Sequence, residues 1–432
     1  MRITMPYGTA WCEADVDWGR LLGTLDVRDA PEPANPDQAI RHAIEHPIGL
    51  DKHIYQVVSP GETVAILVSD AFRHTGVDQI LPILIAGLHE AGIADDAVTF
   101  VFATGSHRPP TPAEQARILG ESLYRRFHGR VLVHDPIDPA NLVHVGTTSR
   151  GTPVELNRHV LACDRLIVTG ATVLHYFGGY GGGRKSIVPG IASVKTIAHN
   201  HAMNIAPDKD RLNPDVRIAV LDGNPVAEDM LEGARFIRTD YLINTVLNRA
   251  GRIAGVFCGE LDAAHRAAAR FARDLFAVTI RQRANLVIAS SGAAKDFVQS
   301  HKALVNAYQA VEPEGRIVFV SQCPEGLGGE QFEKWLRLGE RSRIFEELRR
   351  HSEINGQTAL STIEKAPISA FVTDMTEGQV RLLHGRKAAS LKDAMATCRD
   401  ELRGIGISEP TYYLMPSASY TAPFLNSENG DR

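Results

Sequence analysis

Residues 63–69 read TVAILVS, a run in which five consecutive apolar side chains show no helical spacing. A short apolar run rich in β-branched residues is typical of a strand that is buried on both faces, as in a parallel sheet. Similar runs recur along the chain, at residues 97–103, 130–134, 165–169, 218–221, 241–247 and 252–257. Amphipathic helical patterns separate several of them, so the sequence predicts an α/β fold with mostly parallel sheets.

The chain has 432 residues, which exceeds the usual size of one domain. A second alternating unit begins near residue 285, with NLVIASSG followed by a helical pattern and the strand-like run 316–321. We therefore predict two α/β domains, at 1–270 and 271–405, with residues 406–432 returning to the first. The active site is expected in the cleft between the two domains.

Charge and cysteine content exclude several classes of protein. The net charge is −5, with acidic and basic residues interspersed, so no basic stripe for a nucleic acid or membrane surface is expected. The five cysteines are scattered and form no CxxC pair, which favours a reducing compartment. The N-terminus lacks an apolar signal core, and residues 80–88, the most apolar stretch, are too few to span a bilayer. We predict a cytoplasmic protein.

Polar clusters directly follow four of the predicted strands. In open α/β sheets, ligands bind beyond the carboxyl ends of the strands, so these clusters are expected to share one crevice. The clusters contain, in chain order, Asp70 with Arg73, His107 with Arg108, His175 with Lys185, and Gln299 with Lys302. In the last of them, Asp296 is a candidate N-cap, and a solvated amphipathic helix is the alternative interpretation.

Residues 178–190 contain six glycines and then Arg184, Lys185 and Ser186. Such glycine density permits positive φ angles and close backbone approach to a phosphate. Arg184 breaks the spacing of a Walker A loop, because it stands where the lysine of that motif is required. A flexible surface loop is the alternative, but the Arg-Lys pair and the Pro189-Gly190 end argue against a linker.

Histidine is common in this chain, with 17 residues, so a single one is weak evidence of function. His107 and His175 are stronger candidates because each follows a predicted strand, and an imidazole exchanges protons near neutral pH. His199 and His201 cannot share one helix face. One of them is a candidate metal ligand, and a surface pair at a helix end is the alternative.

Several of these segments resemble the signature sequences of the lactate racemase family. They are ATGSHRPPT (103–111), HYFGGYGGGRKSIVPGIAS (175–193), HNHAMN (199–204) and QSHKAL (299–304). Their order and spacing also agree with that family, and the similarity extends from about Val64 to Trp335. The resemblance implies an isomerase that inverts the hydroxyl-bearing carbon of lactate or a close relative.

The resemblance also implies a cofactor, the nickel-pincer nucleotide (pyridinium-3-thioamide-5-thiocarboxylic acid mononucleotide with nickel), bound by the N-terminal domain and supplied by cofactor-delivery enzymes. By resemblance, His107 and His175 are the acid–base pair, and His201 is the nickel ligand. Lys185 carries the cofactor covalently. The other residues implied for cofactor binding are Asp70, Gly182, Gly183 and Arg184, and those implied for substrate binding are Arg73, Gln299 and Lys302.

One segment departs from the family pattern. In SSGAAKDFVQ the family's proline is absent, and Val298 stands where an aromatic residue is common. Larger substrates such as malate, 2-hydroxyglutarate or a sugar acid therefore remain alternatives to lactate. Two other classes also stay open, a zinc hydrolase using His107, His175 and His201, and a phosphate-binding kinase using residues 178–186.

Overall fold

The computed structural model describes residues 1–28 and 30–426. The strands are β1 (Arg2–Tyr7), β2 (Ala10–Asp15), β3 (Arg20–Thr24), β4 (Val64–Ser69), β5 (Val98–Ala103), β6 (Val131–Val133), β7 (Leu142–Thr147), β8 (Pro153–Asn157), β9 (Arg165–Ala171), β10 (Leu174–His175), β11 (Gly179–Tyr180), β12 (Tyr241–Leu247), β13 (Ile253–Gly259), β14 (Ala277–Ile280), β15 (Ala284–Ser290), β16 (Val311–Val320), β17 (Ser369–Val372), β18 (Arg386–Ala388), β19 (Thr411–Met415) and β20 (Ala422–Leu425).

The α-helices are α1 (Pro36–Glu45), α2 (Ile54–Val57), α3 (Val77–Glu90), α4 (Pro112–Leu119), α5 (Glu121–Arg126), α6 (Arg158–Leu161), α7 (Val194–Ala202), α8 (Pro225–Ala234), α9 (Leu261–Phe276), α10 (Phe297–Gln309), α11 (Glu330–Leu336), α12 (Arg341–Arg350), α13 (Ile354–Lys365), α14 (Glu377–Leu382) and α15 (Leu391–Gly404). The chain divides into two compact units. The larger unit is Asp29–Asp274, and the smaller unit combines Met1–Arg28 with Leu275–Arg432.

The larger unit is built on a six-stranded sheet with the order β13-β12-β9-β4-β5-β6. Only β13 is antiparallel to its neighbour, and the other pairs are parallel. In β4, Val64, Ile66 and Val68 pack into one core, and Ala65 and Leu67 pack into the core on the opposite face. Successive side chains point to opposite faces of a strand, so a strand covered on both sides needs an unbroken apolar run.

The smaller unit contains a second six-stranded sheet with the order β18-β17-β16-β15-β19-β3, in which all pairs are parallel. The prediction of an α/β fold with mostly parallel sheets is confirmed. Among residues 1–28 and 30–426, no helix combines the length and the apolar character needed to cross a membrane.

The units differ from the predicted domains at both ends of the chain. Residues 1–28 were assigned to the N-terminal domain, but β3 pairs in parallel with β19 and so belongs to the smaller unit. Residues 406–432 were expected to return to the N-terminal domain. Within their described part, β19 pairs with β15 and β20 pairs with β14, both in the smaller unit. The boundary at Asp274 falls in the last turn of α9.

The strand predicted at residues 218–221 is absent from the described structure, where Ile218 and Ala219 form a turn and residues 220–221 are irregular. Ala219 has φ 60°, a left-handed conformation that interrupts an extended run. Its backbone N–H donates to the carbonyl of Gly179, 3.0 Å away, which ties this segment to the glycine-rich loop.

Candidate active site

Three predicted site residues lie just beyond the carboxyl ends of parallel strands in the larger unit. Asp70 follows β4 directly, and His107 and His175 lie four residues after the ends of β5 and β9. Because parallel strands end on the same side of a sheet, the fold brings these side chains to one side of it. The backbone N–H of Gly105 donates to the carbonyl of Gly190 at 2.9 Å, which joins the loop after β5 to the end of the glycine-rich segment.

His107 is paired with a buried carboxylate. Its Nδ1 atom lies 2.6 Å from Oδ2 of Asp70, and Asp70 is only 3% exposed. The other carboxylate oxygen of Asp70, Oδ1, accepts a hydrogen bond from the backbone N–H of Phe72 at 2.9 Å. The Phe72 ring also packs against the His107 ring, with centroids 5.1 Å apart. These contacts orient the imidazole from two sides.

His175 contacts the lysine of the glycine-rich segment. Its Nε2 atom lies 3.1 Å from Nζ of Lys185. Its Nδ1 atom accepts hydrogen bonds from the backbone N–H groups of Phe177 and Gly178, at 3.1 and 3.2 Å. The His175 ring also stacks on Tyr176 with an interplanar angle of 5°. The imidazole is therefore held by its own loop and faces Lys185.

Burial holds the pKa of Lys185 well below the ordinary value, and the nearby charges of Arg73 and Arg184 lower it further. Desolvation disfavours the charged ammonium, and like charges add to that effect. The lowered pKa favours the neutral amine of Lys185, with a lone pair on Nζ. A neutral amine is the form of lysine that reacts as a nucleophile.

His201 lies in the last turn of α7, a helix that begins after Ser193, whose hydroxyl accepts from the backbone N–H of Thr196 at 3.2 Å. Burial lowers the pKa of His201 to about 3, and the charge of Lys185 contributes in the same direction. The imidazole is therefore unprotonated at neutral pH. The ring of Phe177 lies 4.7 Å from it, centroid to centroid.

His199, the other histidine of the pair, points to a different set of partners. Its Nδ1 atom lies 2.9 Å from the hydroxyl of Thr152. Thr152 in turn donates to Asp229, which also accepts from Thr148 and from the side-chain amide of Asn200. Asp229 is 1% exposed, so this carboxylate anchors α7 through Asn200, the neighbour of His201.

The glycine-rich segment is fixed by close protein contacts. Gly182 and Gly183 have φ angles of 72° and 53°. A Cβ atom on Gly183 would lie 2.5 Å from the ring of His265, and one on Gly182 would lie 2.9 Å from the carbonyl of Ala171. The segment thus requires glycine both for its left-handed backbone and for its packing.

Arg184 is almost fully buried. Its guanidinium donates to the carbonyl of Ala227 at 3.3 Å and to Nδ1 of His265 at 3.0 Å, and Nε2 of His265 donates to the carbonyl of Gly181 at 2.8 Å. Burial lowers the pKa of Arg184 to about 10. The contacts that the structure gives this side chain are therefore internal ones that brace the segment.

The three predicted substrate residues are divided between the units. Arg73 is an exposed residue of the larger unit, and its charge is among those that lower the pKa of Lys185. Gln299 and Lys302 lie in the first two turns of α10, in the smaller unit. Asp296 caps that helix, accepting from the backbone N–H and from the side-chain amide of Gln299, both at 2.8 Å.

Sequence reasoning missed three buried polar residues that shape this site, namely Asp229, Asn244 and His265. Asn244 interrupts the apolar run of β12 and donates to the hydroxyl of Thr172 at 2.9 Å. His265 occupies an apolar-face position of α9, four residues after Leu261. A polar residue at a position where the pattern requires an apolar one is a signal that was available. The hydrogen-bond partner of such a residue cannot be predicted from this signal, because the partner lies elsewhere in the sequence.

The residues of the site fit a metal-bearing nucleotide that is held through a lysine. Covalent attachment through a lysine needs the neutral amine, and burial lowers the pKa of Lys185 in favour of that form. A metal ion needs an unprotonated ring nitrogen, and burial keeps His201 in that form. Both residues lie in the larger unit and interact electrostatically. In the part of the chain that the structure describes, His107, His175 and His201 do not form a three-ligand metal group, nor does any other set of His, Cys, Asp or Glu.

Comparison with known proteins agrees with this geometry. Residues 7–213 match the family model for the lactate racemase N-terminal domain. The lactate racemase of Thermoanaerobacterium thermosaccharolyticum is 29% identical over 340 residues, which cover 78% of this chain and 78% of that protein. The lactate racemase of Lactiplantibacillus plantarum is 29% identical over 336 residues, covering 76% of this chain and 77% of that protein.

Two solved structures are also similar. The lactate racemase apoprotein from T. thermosaccharolyticum superposes with a TM-score of 0.87 and 26% identity, covering 98% of this chain and 100% of that one. A Thermotoga maritima protein shares the fold, with a TM-score of 0.66 and 17% identity over 92% of this chain and all of its own. The chain is therefore similar to lactate racemases over most of its length, and these relatives indicate an isomerase of the racemase type.

Proposed function

We propose that this chain interconverts the two enantiomers of lactate with the help of a nickel-pincer nucleotide. The observation that carries the proposal is the 3.1 Å contact between Nε2 of His175 and Nζ of Lys185, which places an imidazole beside an amine whose pKa is lowered. The names of the relatives, lactate racemases from two bacteria, support the substrate. The five scattered cysteines, which form no CxxC pair, support action in a reducing compartment such as the cytoplasm.

Lys185 would carry the nucleotide, and His201 would bind its nickel through the unprotonated imidazole. Asp70, Gly182, Gly183 and Arg184 would line the nucleotide site. Held by these residues, the cofactor would supply a reversible hydride acceptor for the hydrogen of the hydroxyl-bearing carbon. Enzymes that make and deliver this cofactor are the partners that the proposal requires.

The protein's own task is to move a proton and hold an anion. The hydroxyl proton must leave as the carbon is oxidised and must return when it is reduced, and His107 and His175 would exchange it. Arg73, Gln299 and Lys302 would hold the carboxylate, because a fixed cation keeps the planar keto acid in place while it reorients. A site closed to water would prevent escape of that intermediate.

A larger 2-hydroxy acid is the second candidate substrate. Val298 lies in the first turn of α10, next to Gln299, and is smaller than the aromatic residue that the family commonly has there. A smaller side chain beside a substrate residue leaves room for a longer acid. Malate, 2-hydroxyglutarate and sugar acids are therefore the compounds to compare with lactate.

The test begins with protein made in cells that synthesise the cofactor. Intact-mass and metal analysis should find an adduct on Lys185 and nickel, and chiral analysis of single-enantiomer 2-hydroxy acids should identify the substrate. His107→Ala and His175→Ala should each abolish racemisation, whereas His144→Ala, an exposed histidine on β7, should not. Unmodified Lys185 with bound zinc, or wild-type turnover without His107 or His175, would contradict the proposal.

A further inference from the structure

The two imidazoles of the proposed site are hydrogen-bonded in opposite ways. Nδ1 of His107 faces a carboxylate oxygen of Asp70, whereas Nδ1 of His175 faces two backbone N–H groups. In a neutral imidazole one ring nitrogen carries the proton and the other accepts, and the partner of one nitrogen decides the state of the other. The two rings should therefore hold their protons on different atoms.

For His107, Nδ1 must carry the hydrogen. An ionised carboxylate only accepts hydrogen bonds, so the 2.6 Å contact with Asp70 requires an N–H on Nδ1. The Nε2 atom of the neutral ring is then a bare acceptor. Asp70 cannot turn to another arrangement easily, because its Oδ1 receives the backbone N–H of Phe72 and the side chain is buried.

For His175, Nδ1 must be the bare atom. Backbone N–H groups only donate, and those of Phe177 and Gly178 both point at Nδ1. The neutral ring then carries its hydrogen on Nε2, 3.1 Å from Nζ of Lys185. A neutral amine accepts such a hydrogen bond, so Lys185, whose pKa is lowered, is a consistent partner.

We propose that Asp70 is a positioning residue that holds His107 with its proton on Nδ1, so that Nε2 of His107 takes the hydroxyl proton of the substrate, while the His175 loop holds that ring in the opposite tautomer. This inference rests on the proposed function and gives Asp70 a role besides lining the nucleotide site. The O–H bond of the substrate breaks and an N–H bond forms on Nε2, and the cofactor held by Lys185 and His201 would supply the hydride acceptor that this oxidation needs. Asp70 balances the charge of the imidazolium. The proton returns from Nε2 to the oxygen when the carbon is reduced again.

Asp70→Asn tests the role of Asp70, because Phe72 dictates how the new amide sits. The amide oxygen must face the Phe72 N–H, since the reverse would set two donors against each other. The NH2 group then faces Nδ1 of His107 and forces the proton to Nε2. Nitrogen-15 NMR of histidine-labelled, cofactor-free protein reports which ring nitrogen is protonated, and the spectrum of His107→Gln identifies the His107 signals.

We expect the His107 signals to interchange between Nδ1 and Nε2 in Asp70→Asn. In loaded enzyme, kcat should fall roughly 10²- to 10⁴-fold, as when a base is held in the wrong tautomer, with KM changed by less than about threefold. Because enantiomers have equal free energies, kcat/KM must fall by the same factor in both directions. Asp95→Asn is the matched control, since Asp95 pairs with His89 in the same unit, away from the proposed site. It should leave kcat unchanged.

The spectra and the kinetics can each overturn the role inferred for Asp70. A wild-type spectrum with the His107 proton on Nε2, or an Asp70→Asn spectrum with it still on Nδ1, would overturn the inference. So would wild-type kcat in Asp70→Asn. The wild-type spectrum alone shows which ring nitrogen of His107 carries the proton, so the inference is tested even if Asp70→Asn fails to fold. Wild-type enzyme that carries no cofactor and turns over no 2-hydroxy acid would instead contradict the proposed function, and the NMR result separates the two cases.

Discussion

Nζ of Lys185 lies 3.1 Å from Nε2 of His175. Burial is the largest cause of its lowered pKa, and the neighbouring guanidinium groups of Arg73 and Arg184 add to it. A group that must give up its proton on folding opposes folding at neutral pH. The lowered pKa of Lys185 therefore reduces the stability of the folded protein at neutral pH.

Replacing Lys185 by methionine should lower the rate of racemisation at least about 10³-fold. It should also raise the melting temperature of the cofactor-free protein. Methionine keeps the length of the side chain without its ionisable group. In the wild type the folded-state pKa lies below the unfolded one, so stability is lost as pH falls and recovers as pH rises toward the unfolded pKa. The advantage of Lys185→Met should therefore be present at pH 7.5 and shrink near pH 10.5.

Thermal unfolding at the two pH values measures this difference. Lys195→Met is the matched control, because the side chain of Lys195 is 66% exposed and its ion pair with Glu155 is a surface one. It should change the melting temperature little at either pH. A Lys185→Met protein that is less stable than wild type at pH 7.5 would show that the hydrogen bond to His175 outweighs the cost of neutralising the amine.

A methyl group on Gly183 should be far more damaging than one on Gly223. Both glycines have positive φ, 53° and 78°, so each alanine variant carries a backbone cost of about 1 kcal/mol. A Cβ on Gly183 would also lie 2.5 Å from the His265 ring, whereas a Cβ on Gly223 meets nothing within 4 Å. Overpacking adds about 1–3 kcal/mol for Gly183→Ala only. Urea unfolding of both variants measures the difference, and equal losses would contradict the packing argument.

The parallel sheets could be predicted from sequence because their strands are covered on both faces. An unbroken run such as that of β4 is a local signal, and the local pattern is enough to identify it. The local pattern does not show which strands pair with each other. The pairing of β3 with β19 joins residues near the two ends of the chain, and no local pattern encodes it. The run at residues 218–221 is as apolar as a short strand, but the left-handed Ala219 interrupts it.

For the candidate site, the sequence predicted individual residues but not their hydrogen-bond partners. The positions of His107 and His175 follow from their places after strands, and those of Lys185 and His201 from the resemblance to the family. The hydrogen-bond partners could not be predicted, because a carboxylate such as Asp70 has many candidate partners in a sequence. Only the fold brings Nδ1 of His107 to 2.6 Å from it. Asp229, which anchors α7 through Asn200, also accepts from Thr148 and Thr152, which lie 81 and 77 residues earlier in the chain.

Asp229→Leu should destabilise the larger unit by about 3–5 kcal/mol. The substitution leaves the buried hydroxyls of Thr148 and Thr152 and the amide of Asn200 without their acceptor, and each lost partner costs about 1–3 kcal/mol. Glu232→Gln, one turn further along α8, is the control. Glu232 accepts from Ser149 at the surface, so its loss should cost less than about 1 kcal/mol. Similar urea midpoints for the two variants would mean that Asp229 does not anchor α7.

Acid should destabilise the larger unit partly through His265. Burial, followed by the charge of Arg184, lowers its pKa to about 3 from 6.5. In the pH range between these values the unfolded chain binds a proton that the folded protein does not, so stability falls as pH drops below about 6.5 and this loss levels off near pH 3. At pH 5 the protonation of one such histidine costs about 2 kcal/mol.

Glutamine at position 265 can accept from Arg184 and donate to the carbonyl of Gly181 without titrating. His265→Gln should therefore lose about 2 kcal/mol less than wild type when urea unfolding is followed by far-ultraviolet circular dichroism at pH 7.5 and at pH 5. His144→Gln, at an exposed position of the same unit, should behave as wild type. If His265→Gln were as acid-sensitive as wild type, His265 would already be protonated in the folded protein, and its Nδ1 could not accept from Arg184.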